Sequence, residues 1–279
     1  MSATVAGPGS ERPVREGPVL EAHGVERTYT RPRRALFEPA PRVHALRGID
    51  LAVQVGERLG IVGESGSGKS TLARLLVALD QPTAGTVAFR GTDLATATAE
   101  QLLQLRREVL IVFQDPVSSL DPRLRVRRSL LEPLRALRVP GNHETRVREL
   151  LTAVGLGPEA AARYPHEFSG GQRQRIAIAR ALAPHPQVLV ADEPVSALDV
   201  SVRAQILNLL LDLSEQLELT LVLVSHDLAV VRHTCDRVVV MRDGLIVEEG
   251  PVEAIFSSPQ HPYTQALLAA APRLQAVAR

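Results

Sequence analysis

Residues Gly63-Glu64-Ser65-Gly66-Ser67-Gly68-Lys69-Ser70 carry the spacing GxxxxGK[ST] in full. Glycines at those positions let successive backbone N–H groups turn inward around an anion, and a helix starting there adds the positive end of its dipole. In that frame Lys69 reaches the β- and γ-phosphates of a nucleotide, and the Ser70 hydroxyl ligates magnesium. A second glycine-rich segment, Ser169-Gly170-Gly171-Gln172, stands far along the chain at an expected helix start. One nucleotide needs one cradle, so the second implies a γ-phosphate approached from the opposite side. Val188-Leu189-Val190-Ala191-Asp192-Glu193 is an apolar strand ending in two carboxylates. Beside a phosphate loop, that order gives Asp192 to magnesium through its water shell and Glu193 to the attacking water as general base.

Such groups work only if strands and helices carry them to one edge. Leu59–Val62 reads as a strand before the loop and Ser70–Leu79 as the helix after it. Val109–Phe113, Gln187–Ala191, Leu219–Val224 and Val238–Met241 are short, nearly all-apolar runs. Strands of that kind are covered on both faces, as in parallel α/β sheets. Alternation through Leu20–Val25 and Val43–Val53 predicts two antiparallel strands, joined by an arginine- and proline-rich hairpin loop over Thr30–Pro41. The stretch Asp115–Phe168 holds helical periodicity over Val126–Leu137 and Glu144–Val154 without a strand, which predicts an inserted helical subdomain over about 115–170. Asp243-Gly244 marks a hairpin turn, and Pro251–Ala271 reads as helical with breaks near Pro259 and Pro262. Residues 1–18 read as a disordered tail and 272–279 as a C-terminal tail.

The chain has 279 residues, 45% hydrophobic and 23% charged, with a net charge of +1. That balance suits a globular α/β protein and argues against wholesale nucleic-acid binding. Aromatics at 3%, with no Trp, leave few stacking platforms for single strands. No apolar run reaches the ~18–20 residues that span a bilayer, and Met1–Pro18 lacks the apolar core of a signal peptide. The expectation is a cytoplasmic protein whose membrane link comes through a partner. Cys235 is the only cysteine, so disulfide and CxxC chemistry within the chain are excluded, and it reads as a small buried hydrophobe.

Taken in order, these motifs resemble the nucleotide-binding subunit of an ATP-binding cassette (ABC) transporter, over about residues 19–270. Phe168-Ser169-Gly170-Gly171-Gln172 is similar to the LSGGQ signature, with Phe for Leu. The resemblance implies a P-loop NTPase of the ABC ATPase fold: an α/β RecA-like core with an antiparallel β subdomain and the inserted helical subdomain, spanning 19–271. It implies that Gln114 senses magnesium and the attacking water while its loop touches a transmembrane partner. It assigns Ser196-Ala197-Leu198-Asp199 to the loop that crosses between two subunits, His226 to the γ-phosphate and Tyr29 to stacking on adenine. The catalytic set is then Lys69, Gln114, Glu193 and His226, and the magnesium set Ser70, Gln114 and Asp192. ATP would be held by Tyr29, Gly63, Glu64, Ser65, Gly66, Ser67, Gly68, Lys69, Ser70 and Thr71. Ser169, Gly170, Gly171, Gln172 and Asp199 complete that set across a head-to-tail dimer.

Phe113–Arg123, Tyr164–Phe168, Asp192–Val200 and His261–Leu268 are similar to the oligopeptide/dipeptide/nickel importer family. Ser70-Thr71 and Pro194-Val195-Ser196 resemble its second, F-type ATPase subunit. The implied partners are a non-identical ABC ATPase subunit, two transmembrane permease subunits and, through the complex, an extracellular solute-binding protein. The implied location is the cytoplasmic face of the membrane. Met241–Gly244 departs from the peptide members, which leaves a nickel or metal-chelate importer open. A lone cysteine leads to the expectation of no iron–sulfur cluster. An exporter reading runs against Tyr164–Phe168 and the 261–268 run, and a DNA-repair ATPase reading lacks a coiled coil between Ser70 and Ser169. Arg31, Arg33 and Arg34 suit either a solvated hairpin or contact with anionic lipid or the paired subunit.

Overall fold

The computed structural model describes residues 17–30, 41–113, 120–196 and 198–270. Strands β1 (Pro18–Thr30) and β2 (Arg42–Gln54) pair antiparallel, Thr30 opposite Arg42. The expected tail stops sooner than residue 18, because Pro18 already opens β1 opposite Gln54. Proline is tolerated at a strand start, where its missing N–H costs little. Strands β4 (Ala84–Phe89) and β5 (Thr92–Asp93) extend this sheet in the order β2-β1-β4-β5.

The second sheet runs β10-β9-β3-β8-β7-β6. Strands β3 (Arg58–Val62), β6 (Val109–Val112), β7 (Val188–Asp192), β8 (Thr220–Ser225) and β9 (Arg237–Arg242) are parallel, and β10 (Leu245–Pro251) closes one edge antiparallel. The β9–β10 turn has Asp243 at φ 49° and Gly244 at φ 79°, the two positive angles of a type I′ hairpin.

Side chains alternate between two cores. Leu59, Ile61, Val188, Val190, Val222, Val224, Val239 and Met241 join the antiparallel sheet in one. Val62, Leu189, Ala191, Leu221, Leu223, Val238 and Val240 join the helical layer in the other. Helix α1 (Lys69–Leu76) lies in the first core through Leu72, Leu75 and Leu76, none more than 1% exposed. Each such burial stabilises by ~1.5–3 kcal/mol. Helix α2 (Ala99–Glu108) is fixed by a Thr98–Gln101 capping box.

The second core takes α3 (Val126–Ala136), α4 (His143–Ala153), α5 (Gly170–Leu182), α6 (Val200–Gln216) and α7 (Leu228–Thr234). The chain then forms α8 (Val252–Ser257) and α9 (Pro262–Ala270). The expected breaks near Pro259 and Pro262 fall in the gap over 258–261 between these helices, and Pro262 takes the first helical position, where no N–H partner is lost. Cys235 is buried, and burial pushes its thiol up to about 12. Among the described residues no helix is long and apolar enough to cross a membrane.

Candidate nucleotide site

The phosphate loop joins β3 to α1. Gly68 sits at φ 104°, and a Cβ there would stand 2.5 Å from the Ala45 carbonyl oxygen of β2, so only glycine fits. Lys69 is 5% exposed, and its ammonium donates to the carbonyls of Gly63 at 2.8 Å and Glu64 at 2.7 Å. Burial pushes its pKa down, opposed by Glu193, Asp192 and Glu64. Ser65 and Gly66 are exposed at the loop crest, and Thr71 is half-buried. The Ser70 hydroxyl donates to Asp192 Oδ1 at 3.0 Å. Asp192 is also 5% exposed; burial holds its carboxyl above the ordinary value, with Glu193 adding to the shift and Ser70, Arg74 and Lys69 opposing it.

Strand β7 ends at Asp192, and Glu193 turns the chain with φ 47°, a left-handed angle that side chains rarely adopt. Its N–H donates to the Val224 carbonyl of the neighbouring strand at 2.9 Å. That turn brings Glu193 Oε2 to 3.2 Å from His226 Nδ1, just past β8. The Glu193 carbonyl in turn accepts from Ser196 Oγ at 3.1 Å. Asp199 is exposed at the start of α6. Asp227, which reads from sequence as a solvated or capping residue without a catalytic role, caps α7 by accepting from the N–H groups of Ala229 and Val230, and pairs with Arg203 of α6 at 3.3 Å. An aspartate directly before an apolar helix was the available signal.

Ser169 caps α5: its hydroxyl accepts from Gln172 N at 3.3 Å, and Gln172 Oε1 accepts from Ser169 N at 3.0 Å. Phe168, in the place of the usual Leu, is buried under the Arg163 guanidinium. A Cβ on Gly171 would stand 2.4 Å from Val202 Cγ1 of α6. Among the described residues no hydrogen bond joins 169–172 to 63–70.

Tyr29 pairs with Val43, two residues before Ala45, so it shares the sheet edge that meets the phosphate loop. Its hydroxyl donates to Asp80 at 2.7 Å and Arg27 lies 4.6 Å over its ring. Gln114, Ala197 and the arginines at 31, 33 and 34 lie outside the described residues.

A strand, a glycine loop and a helix, beside a strand that ends in paired carboxylates, define a P-loop ATPase. Residues 46–196 match the family model described as ABC transporter, and 247–279 match that of the oligopeptide/dipeptide transporter C-terminal region. The chain belongs to the ABC transporter family, as an ATP-binding ATPase subunit with the ABC ATPase fold. It is 48% identical over 258 residues to the di/tripeptide transport ATP-binding protein DppF of Pseudomonas aeruginosa (strain UCBPP-PA14), covering 92% of this chain and 80% of that one. It is 51% identical over 258 residues to the glutathione import ATP-binding protein GsiA of Salmonella choleraesuis (strain SC-B67), covering 91% of this chain and 41% of that longer protein. Among solved structures, the ATP-binding cassette MJ0796, a dimer in a post-hydrolysis state bound to ADP and Pi, matches with TM-score 0.72 and 32% identity over 84% of this chain and 98% of that one.

Proposed function

We propose that this chain hydrolyses ATP on the cytoplasmic face of the membrane to power a peptide importer, paired head to tail with a second, non-identical ABC ATPase subunit. The observation that carries the reading is Glu193 within 3.2 Å of His226, beside the Ser70–Asp192 pair. The ammonium of Lys69 donates to the carbonyls of Gly63 and Glu64 and, at 3.5 Å, to Ser67 Oγ; that long third contact is the one a β- or γ-phosphate would replace. Ser70 and Asp192 present hard oxygen donors 3.0 Å apart, a set that fits magnesium completed by phosphate oxygens and water. Gln114 joins that set on the family resemblance. Magnesium there would neutralise charge on the phosphates.

Glu193 accepts the proton of the attacking water, and His226 holds that carboxylate and reaches the γ-phosphate. Tyr29 stacks on adenine with the ring face that Arg27 does not cover. Ser169, Gly170, Gly171, Gln172 and Asp199 serve the ATP of the partner subunit. Closure then depends on nucleotide, and product repulsion opens the interface. A groove of about 300 Å³ between β6 and the helical layer, with Phe113 40% and Leu79 58% exposed, suits a cytoplasmic helix of one of two permease subunits. The match over 247–279 and the di/tripeptide relative favour peptides over metal chelates as cargo, delivered by an extracellular binding protein.

The test is Glu193→Gln in the assembled transporter. Steady-state hydrolysis falls by ~10²–10⁴ while ATP binding persists. Turnover near that of the wild type would remove Glu193 from the mechanism.

A further inference from the structure

Helix α9 opens with His261-Pro262-Tyr263, a run that no step above uses. The Tyr263 side chain is 7% exposed, and its hydroxyl accepts a hydrogen bond from the backbone N–H of Glu64 at 3.0 Å. Glu64 is the second residue of the phosphate loop. The other polar group of the same peptide unit is the Gly63 carbonyl, which accepts from Lys69 Nζ at 2.8 Å. In a trans peptide the C=O and N–H point in opposite directions. One rigid plane is therefore held from both sides, by Lys69 from within the loop and by Tyr263 from outside.

That plane needs the second hold. Gly63 stands at φ 151° against the Met241 carbonyl, which a Cβ would approach to 2.1 Å, so the position is held as glycine and the hydrogen bonds at the two ends of the 63–64 peptide set its orientation. Rotation would carry the Gly63 carbonyl off the ammonium and change the aim of Lys69. Tyr263 is itself well anchored. The Arg242 guanidinium lies 4.9 Å over its ring, and its N–H donates to His261 Nδ1 at 3.1 Å. Glu248 of β10 fixes the approach by accepting from the N–H groups of Gln260 at 2.7 Å and His261 at 3.1 Å.

We propose that Tyr263 is a positioning residue for ATP: through the 63–64 peptide it sets the direction of Lys69, and so ties the C-terminal region to the nucleotide site. The proposal rests on the reading of Lys69 as a phosphate ligand. It gives Arg242, where the sequence departs from the peptide members, a task as the cover of Tyr263.

The test is Tyr263→Phe in the assembled transporter, which keeps the ring and its arginine and removes only the hydroxyl. The KM for ATP rises about threefold to tenfold, the worth of one hydrogen bond, while kcat stays within about twofold. In the nucleotide-free protein, deuterium exchange at the Glu64 amide speeds up. A KM equal to that of the wild type, or an unchanged exchange rate at Glu64, overturns the proposal. So does a fall in kcat and melting temperature at constant KM, which would mark Tyr263 as packing only. Absence of hydrolysis in the wild type would instead remove the nucleotide reading beneath it.

Discussion

Gly171 lies in the first turn of α5, and the missing Cβ would stand 2.4 Å from Val202 Cγ1 on α6. Attractive carbon contacts begin near ~3.5 Å, so in Gly171→Ala one helix must move by about 1 Å. Overpacking of this kind costs ~1–3 kcal/mol. The opposing gain in helix propensity is at most ~1 kcal/mol, and smaller in a first turn. The overlap wins, so the single variant loses about 1–2 kcal/mol in urea unfolding. Val202→Ala removes both methyls; in that background the same Gly171→Ala becomes neutral or stabilising. The sign reversal is the diagnostic. ATP turnover of the assembled transporter follows it, because α5 carries Ser169: it falls in the single variant and recovers in the double. Additivity of the two substitutions within about 0.5 kcal/mol would refute a direct contact.

Asp80 accepts from Tyr29, Arg27 and the Gln81 N–H, and its side chain is 20% exposed. Burial pushes its carboxyl up, but Tyr29, Gln81 and Arg27 together carry it below the ordinary 3.8. A depressed carboxyl stabilises above the unfolded value and loses that contribution as pH falls through the folded one. Asp80→Asn therefore costs about 1–2 kcal/mol at pH 7, and the cost shrinks toward zero in acid below the carboxylate range. Equal urea midpoint shifts in neutral and acid buffer would contradict this. Gln174 of α5 is 0% exposed, and neither amide atom has a hydrogen-bond partner among the described residues. Gln174→Met removes an unpaid desolvation cost of about 1–3 kcal/mol and raises the melting temperature; a lower one would point to an ordered water on the amide.

The phosphate loop was legible because its chemistry is local: glycine positions dictate backbone angles, and Lys69 and Ser70 follow on one helix turn. The parallel strands were legible because burial on both faces leaves apolar runs. The β4–β5 segment was not, since Ala84, Gly85 and Thr86 are exposed and Val87, Ala88 and Phe89 are all buried, so no alternation survives. Helix α2 buries only Leu105 and gave almost no apolar stripe. Helix α1 stops at Leu76, short of the expected Leu79, where Ala78 turns left-handed at φ 53°. The Glu193–His226 and Glu64–Tyr263 contacts join distant segments, and periodicity carries no information about them.

The signature turn supports the proposal that the site is half of a pair. The Ser169 hydroxyl accepts from Gln172 N, so its single O–H remains a donor, and Ser169 is exposed. The Gly170 and Gly171 N–H groups are first-turn donors with no intrahelical acceptor. Together they form an anion-seeking surface, whereas the chain's own phosphate loop is braced by Lys69 and makes no hydrogen bond to it. On this reading the anion comes with a second subunit. Its arrival is also felt at home: Gly171 packs on Val202 of α6, α6 begins beside Asp199, and Ser196 bonds the Glu193 carbonyl at 3.1 Å. A phosphate that draws α5 toward the partner would thus pull on the segment that holds Glu193, the proposed general base. On the proposed roles, ATP at one site sets the geometry for hydrolysis at the other.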